Sequence, residues 1–307
     1  MLTDAFLARL DALRLAMRGR AVGGAGGSRR SRQTGSSAEF SDYREYIPGD
    51  DIRRLDWNTL ARFDRLYMKL FMEEQESQVS ILLDASASMD ADADAAAVPG
   101  VGRASSPSAA VPGSKWAAAR SAAEALGYLA LSGGDRLRFY LLKDGRAFCS
   151  PQLAGRAAFA RLTAFLDACV PDGREGTLAG SVRHLEGLRK GLSFLITDGY
   201  TDDALKEPLD YLRFLRQETT VVQVLSGEEL RPELEGALRL TDCESGEHLD
   251  LLADRAALEA YREALDDFLK AVRENCSAGE ARYLLLDSSL PFDQVFIPLL
   301  SAGGILS

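Results

Sequence analysis

Five oxygen-bearing side chains stand where an α/β sheet would gather them at one edge. Asp84, Ser86 and Ser88 follow the apolar run Val79 to Leu83 in an Asp-x-Ser-x-Ser pattern. A second apolar run, Phe194-Leu195-Ile196, ends in Thr197-Asp198-Gly199. Thr177 closes a glycine-bearing loop, Gly173 to Thr177, ahead of a helical pattern. All strand C-termini of a parallel sheet share one edge, and open α/β sheets bind ligands there. Asp84 and Asp198 therefore converge on that edge, with Thr177 on a neighbouring loop. Two carboxylates and three hydroxyls are hard donors, which suit Mg²⁺ or Mn²⁺ rather than zinc. Two carboxylates only balance a divalent ion. The metal would stay electrophilic and accept a carboxylate from a partner protein.

Other chemistries fit these residues less well. A metal-dependent hydrolase of the phosphatase type wants an acid two residues after its nucleophile, and Ser86 occupies that place after Asp84. A serine hydrolase wants a base beside the serine. The chain has only His184 and His248, and His184 reads as a surface residue of the helix after Thr177. There is no Gly-x-Ser-x-Gly elbow. The expectation is a non-enzymatic binding module, with the hydrolase, or a structural protein carrying a vestigial metal site, as alternatives. Taken singly, Ser86 and Ser88 also read as helix caps and Asp198-Gly199 as an ordinary turn.

The elements that must position these groups follow from periodicity. Apolar residues of Leu2 to Arg18 recur at helical spacing, giving an N-terminal helix over residues 1–18. Gly, Ser and Arg from Gly19 to Ser37 read as a flexible linker over 19–37. Residues 38–77 mix aromatics with charges of both signs around Pro48-Gly49-Asp50. They read as a small irregular β/turn subdomain, with Arg44, Arg53, Arg54 and Arg62 available to pair with Asp50, Asp51, Asp56 and Asp64. From Gln78 to residue 307 strands alternate with helices. Strands are expected at Gln78 to Leu83, Arg136 to Leu142, Leu192 to Thr197, Thr219 to Leu225 and Ala281 to Leu286. Helices are expected at Lys115 to Leu131, Phe159 to Cys169, Leu178 to Leu188, Asp203 to Gln217 and Asp254 to Glu274. Such alternation predicts a three-layer, Rossmann-like α/β fold with a mainly parallel sheet. Residues 90–114 are rich in Ala, Asp, Pro, Gly and Ser and read as a disordered insertion. Its Asp90-x-Asp92-x-Asp94 start is not a calcium loop, because Ala95 and Val101 stand where the turn glycine and the bidentate Glu belong.

Composition narrows the setting. The 307 residues are 46% hydrophobic and carry a net charge of −10, which argues against a general nucleic-acid or anionic-membrane binder. Neither common nucleotide-binding glycine motif is present. Cys149, Cys169, Cys243 and Cys276 are scattered, fitting a reducing compartment. Asp4, Arg9 and Asp11 interrupt the N-terminal apolar stretch, so no signal peptide is expected. No uncharged apolar segment reaches the roughly 18 residues of a membrane helix. A soluble, cytoplasmic protein without membrane insertion is expected.

Two sets of residues resemble a known family. Asp84-x-Ser86-x-Ser88, Thr177 and Asp198 resemble, in order, the metal-ion-dependent adhesion site of von Willebrand factor A-like domains. Glu39-Phe40, Tyr43-Arg44-x-Tyr46-x-Pro48-Gly49-Asp50-Asp51-x-Arg53-x-x-Asp56-Trp57 and Ala61-Arg62 resemble the signature of the bacterial family called domain of unknown function 58. That family places its signature directly before an A-like domain. The resemblance implies that Ser86 and Ser88 bind metal directly, Thr177 directly or through water, and Asp84 and Asp198 mostly through water. It also implies a partner class, since the family is often encoded beside MoxR-type AAA+ ATPases and is thought to help them act on or assemble other proteins. The 90–114 insertion departs from the family pattern and stands directly after the candidate metal loop.

Overall fold

The computed structural model describes residues 2–16, 30–46, 66–74, 78–90, 113–232, 236–241 and 248–306. The chain divides into two compact units. One comprises Met1–Gly19 with Ser77–Ser307, and the other Arg20–Glu76.

In the smaller unit, β1 (Arg30–Glu45) pairs antiparallel with β2 (Tyr67–Glu74), with register shifts near Thr34, Glu39 and Phe40. Residues 30–37, which composition assigns to the linker, are therefore in a strand. Pro48 to Trp57 and the expected ion pairs among Arg53, Arg54, Arg62, Asp50, Asp51, Asp56 and Asp64 lie outside the described residues.

The larger unit is built on a mixed, mostly parallel sheet. Its main path is β11 (Arg282–Asp287), β8 (Glu218–Leu225), β7 (Gly191–Thr197), β3 (Gln78–Asp84), β4 (Arg136–Lys143) and β5 (Arg146–Cys149). The first five strands pair in parallel. β5 and the short β6 (Leu153–Ala154) pair antiparallel with β4. Every residue of β3 and β7 is buried, because helices cover both faces of the sheet. That double cover explains why, between their end residues, they are apolar but for one buried serine each, Ser80 and Ser193.

Pleat alternation sorts the strand residues into two cores. Val79, Ile81, Leu83, Phe194 and Ile196 face a layer made by α1 (Asp4–Leu10), α2 (Lys115–Ser132), α3 (Phe159–Asp167) and α8 (Phe292–Ala302). Leu82, Tyr140, Leu195 and Val221 face α4 (Leu178–Arg183), α5 (Lys206–Phe214) and α7 (Arg255–Ala278). The result is a three-layer α/β unit. A four-residue helix, α6 (Gly227–Leu230), follows β8, and the hairpin of β9 (Gly236–Thr241) and β10 (His248–Ala253) precedes α7.

α2 is buried almost all round: Trp116, Ala119 and Leu126 on the expected stripe, but also Ala118, Ala122, Ala125 and Leu129. Helices α1, α3 and α8 pack around it, which is what an all-round apolar helix requires. Each fully buried Leu of this kind contributes about 1.5–3 kcal/mol.

Three expected helices are clearly shorter than the sequence suggests, among them α5, which runs Lys206–Phe214 rather than Asp203 to Gln217. The N-terminal helix stops at Leu10, capped at its start by Thr3. Leu15 instead bridges Leu306 as an isolated antiparallel pair, with its side chain in the core. Its apolarity belongs to that bridge and not to a helical stripe. α4 ends at Arg183, where the backbone turns at His184. Leu185 and Leu188 pack against the second core from the following loop.

Candidate functional site

β3 delivers Asp84 to the C-terminal edge of the sheet, next to the ends of β4 and β7. Asp84 shares the pleat face of Leu82, toward α4 and α5. Ser86 follows on a loop that is stitched to Gly173: Ala87 N–H donates to Gly173 O at 2.7 Å, and Gly173 N–H donates to Ala85 O at 3.0 Å. A short 3-10 turn, Ala87–Asp90, carries Ser88.

The Thr177 loop is held by a close backbone approach. Asp144 and Gly145 form the two-residue turn between β4 and β5, with φ of 51° and 68°, the left-handed pair of a type I′ hairpin. Asp144 Oδ1 accepts the N–H groups of Arg174 and Glu175 at 2.9 and 3.0 Å. Gly176, at φ +73°, lies so close that a Cβ would stand 2.6 Å from Gly145 N. Thr177 then caps α4, its Oγ1 accepting from Gly180 N–H at 3.0 Å.

Asp84, Ser86 and Thr177 line one cleft of about 370 Å³, together with Gly173, Asp144 and Tyr200. Ser88 is not in its wall, but the Ser86 and Ser88 hydroxyl oxygens are 2.9 Å apart. Asp198 is also not in the wall. It follows Ile196 in pleat parity and so turns toward the α2 layer, where it is 2% exposed. The structure thus brings three of the five expected residues to one cavity and sets Asp198 behind it.

The two carboxylates have different surroundings. Asp84 accepts from neutral donors: Ser86 N–H at 3.0 Å on Oδ1 and the Thr197 hydroxyl at 2.7 Å on Oδ2. Burial pushes the Asp84 carboxyl up to about 6, and the Asp198 charge adds to the rise. The Thr197 and Ser86 hydrogen bonds oppose it. Asp198 Oδ1 accepts from Tyr200 N–H at 3.2 Å, and its Oδ2 lies 3.4 Å from Lys115 Nζ. Gln223 Nε2 holds the Asp198 carbonyl at 2.8 Å, and the Tyr283 hydroxyl holds Gln223 Oε1 at 2.7 Å.

Four features of this region lie outside the motif. Thr197 shares the Asp84 face by strand alternation, a signal present in the sequence. Asp144-Gly145 is the dipeptide that favours a tight hairpin. Ser226-x-x-Glu229 is a capping box, formed in full at α6. Lys115 gives no such sign: a lysine opening a helix after a polar stretch reads as solvated, yet this one is fully buried. Among the described residues no three His, Cys, Asp or Glu side chains are grouped to hold a metal ion, and the expected set has two carboxylates with hydroxyls.

The geometry defines a mixed α/β protein with a polar cleft at the C-terminal edge of a mostly parallel sheet. The chain belongs to the family described as Protein of unknown function DUF58, whose model matches residues 42–270. Uncharacterized proteins of Mycobacterium bovis and Mycobacterium tuberculosis are each 26% identical over 240 residues, covering 75% of this chain and 68% of theirs. Among solved structures, the conserved hypothetical protein BatB of Bacteroides thetaiotaomicron aligns with a TM-score of 0.42 and 16% identity, over 74% of this chain and 98% of its own. An aerotolerance-related membrane protein of Bacteroides fragilis aligns with a TM-score of 0.40 and 16% identity, over 74% and 99%. Among the described residues of the present chain, no helix is long and apolar enough to cross a membrane.

Proposed function

We propose that this chain is a non-enzymatic protein-interaction module of the von Willebrand factor A-like type. Its adhesion-type site holds Mg²⁺ or Mn²⁺ and takes a carboxylate from a protein partner. The observation that carries this reading is the cleft wall: Asp84 and Ser86 from the end of β3 and Thr177 from a distant loop meet at the sheet edge. The Asp84 carboxylate there is met by neutral donors. The donor chemistry fits a hard divalent ion. Each of these groups is an oxygen with spare lone pairs, and the cleft has room for the waters that Mg²⁺ keeps. Ser86 and Ser88 would hold the ion with Thr177 across the cleft, and Asp84 and Asp198 would act through water. Bound there, the ion supplies a Lewis-acidic position for the partner's carboxylate.

The partner class is a MoxR-type AAA+ ATPase, or a client that such an ATPase assembles or matures, in the cytoplasm. The test is calorimetric titration with Mg²⁺ and Mn²⁺, joined to co-purification with the ATPase. One saturable site per chain is expected, abolished by Asp84→Ala, with the ATPase lost on EDTA treatment. A pull-down indifferent to both EDTA and Asp84→Ala would sink the metal-dependent reading.

A further inference from the structure

Lys115 is the least expected residue near the cleft. It opens α2, where the helix dipole disfavours a cation, and Ser114 caps the helix before it. It is 0% exposed, a position that a lysine holds only when its charge is answered. Two carboxylates answer it: Asp198 Oδ2 at 3.4 Å and Glu229 Oε1 at 2.6 Å. The Tyr200 ring lies 5.3 Å from the ammonium. Glu229 is fixed in turn, since its other oxygen accepts Ser226 N–H at 2.7 Å. Dipole and burial both oppose the ammonium here, so simple packing gives no reason for a lysine in place of an apolar side chain.

We infer that Lys115 is the built-in countercharge of the metal site. The inference rests on the metal-binding reading and deepens it. With Lys115 holding Asp198, Asp84 is the one carboxylate of the expected ligand set left without a cationic partner among the described residues. An entering divalent ion is left short of negative ligands, so its affinity stays low until a partner supplies a carboxylate. Glu229 tunes the effect by sharing the ammonium with Asp198. Lys115 is thus a positioning residue that sets the strength of the site from behind the cleft.

The test compares Mn²⁺ affinity, by calorimetry and by the electron paramagnetic resonance signal of free Mn²⁺, in the full chain and two variants. Lys115→Met removes the cation and is expected to tighten Mn²⁺ binding on the order of tenfold, the scale of one charge nearby at intermediate dielectric. Glu229→Gln keeps the hydrogen-bond acceptor, removes a carboxylate that competes with Asp198 for the ammonium, and is expected to weaken binding severalfold. A purely structural role for the pair would weaken binding in both. Changes of the same sign, or no change, against a wild-type chain that binds Mn²⁺ would overturn the inference and leave the metal site standing. Should Lys115→Met fail to fold, Lys115→Gln takes its place, since it also removes the cation, and unchanged or weaker Mn²⁺ binding there overturns the inference. Absence of Mn²⁺ binding in all three chains overturns the metal-site reading, and the inference with it.

Discussion

Strands β3 and β7 lie side by side, and each ends in a buried carboxylate, yet the two acids meet opposite surroundings. Asp84 faces the cleft, takes hydrogen bonds from a hydroxyl and a backbone N–H, and has its carboxyl pushed up to about 6. Asp198 faces the α2 layer and lies 3.4 Å from a buried ammonium. Similar sequence patterns, an apolar run closed by an acid, therefore yield one carboxylate kept available at some energetic cost and one locked into the scaffold. Pleat parity separates them. Asp84 continues the Leu82 face of β3, and Asp198 continues the Ile196 face of β7.

Substitutions at the two acids are expected to move stability in opposite directions. Asp198→Ala strips Lys115 of a buried carboxylate partner and leaves its charge undercompensated. A loss of about 3–5 kcal/mol is expected, read by chemical denaturation in the presence of EDTA. No loss would mean that Lys115 relaxes to solvent, and the contrast with Asp84 would collapse.

Asp84 carries the opposite sign. Its folded-state pKa is raised from 3.8 to about 6, so the folded chain binds this proton more tightly than the unfolded chain. The stability tied to it is full below about pH 4 and is lost as pH rises through about 6, a swing of about 3 kcal/mol at most. Asp84→Asn is expected to flatten that slope and to leave the metal-free protein more stable than wild type at pH 8. A variant less stable at pH 8 would show that the charged form of Asp84 is favoured in the fold. Because a metal needs the carboxylate ionised, wild-type Mn²⁺ affinity is expected to fall as pH drops below about 6.

The smallest effect sharpens the comparison from the loop side. Gly176→Ala introduces a Cβ 2.6 Å from Gly145 N at φ +73°. A stability loss of about 1–2 kcal/mol is expected, with a larger relative loss of Mn²⁺ affinity as Thr177 shifts. Equal affinity in the variant would remove Thr177 from the site.

Much of the sheet was legible because its strands are covered on both faces. β3, β7 and β8 are predominantly apolar or β-branched runs, each interrupted by one buried polar residue, and α7 shows a clear amphipathic stripe. The N-terminal helix was overextended because Leu13 continues the spacing of Leu7 and Leu10 yet packs against the core from beyond the helix end, which local periodicity cannot see. At the site, Asp84, Ser86 and Thr177 were legible as oxygens at strand and loop ends. The set-back of Asp198 depends on parity at the strand end, which the motif alone ignores. Lys115 was illegible for a physical reason: its burial is created by Asp198, Glu229 and Tyr200, which stand 83, 114 and 85 residues further along the chain.

The bridge between Leu15 and Leu306, with Ala16 N–H donating to Ile305 O at 2.7 Å, bears on how the protein is made. Phe6 packs against Phe292 at 5.7 Å between ring centroids. Helix α1 therefore finds permanent neighbours that are translated 286 residues after Phe6. At roughly 5–20 residues per second, that interval is roughly 15–60 seconds. During it, Phe6 and Leu10 lack the α8 part of the core that later buries them. Nascent chains halted shortly before residue 292 should accordingly expose α1 to protease, whereas released chains that include residues 292–306 should protect it.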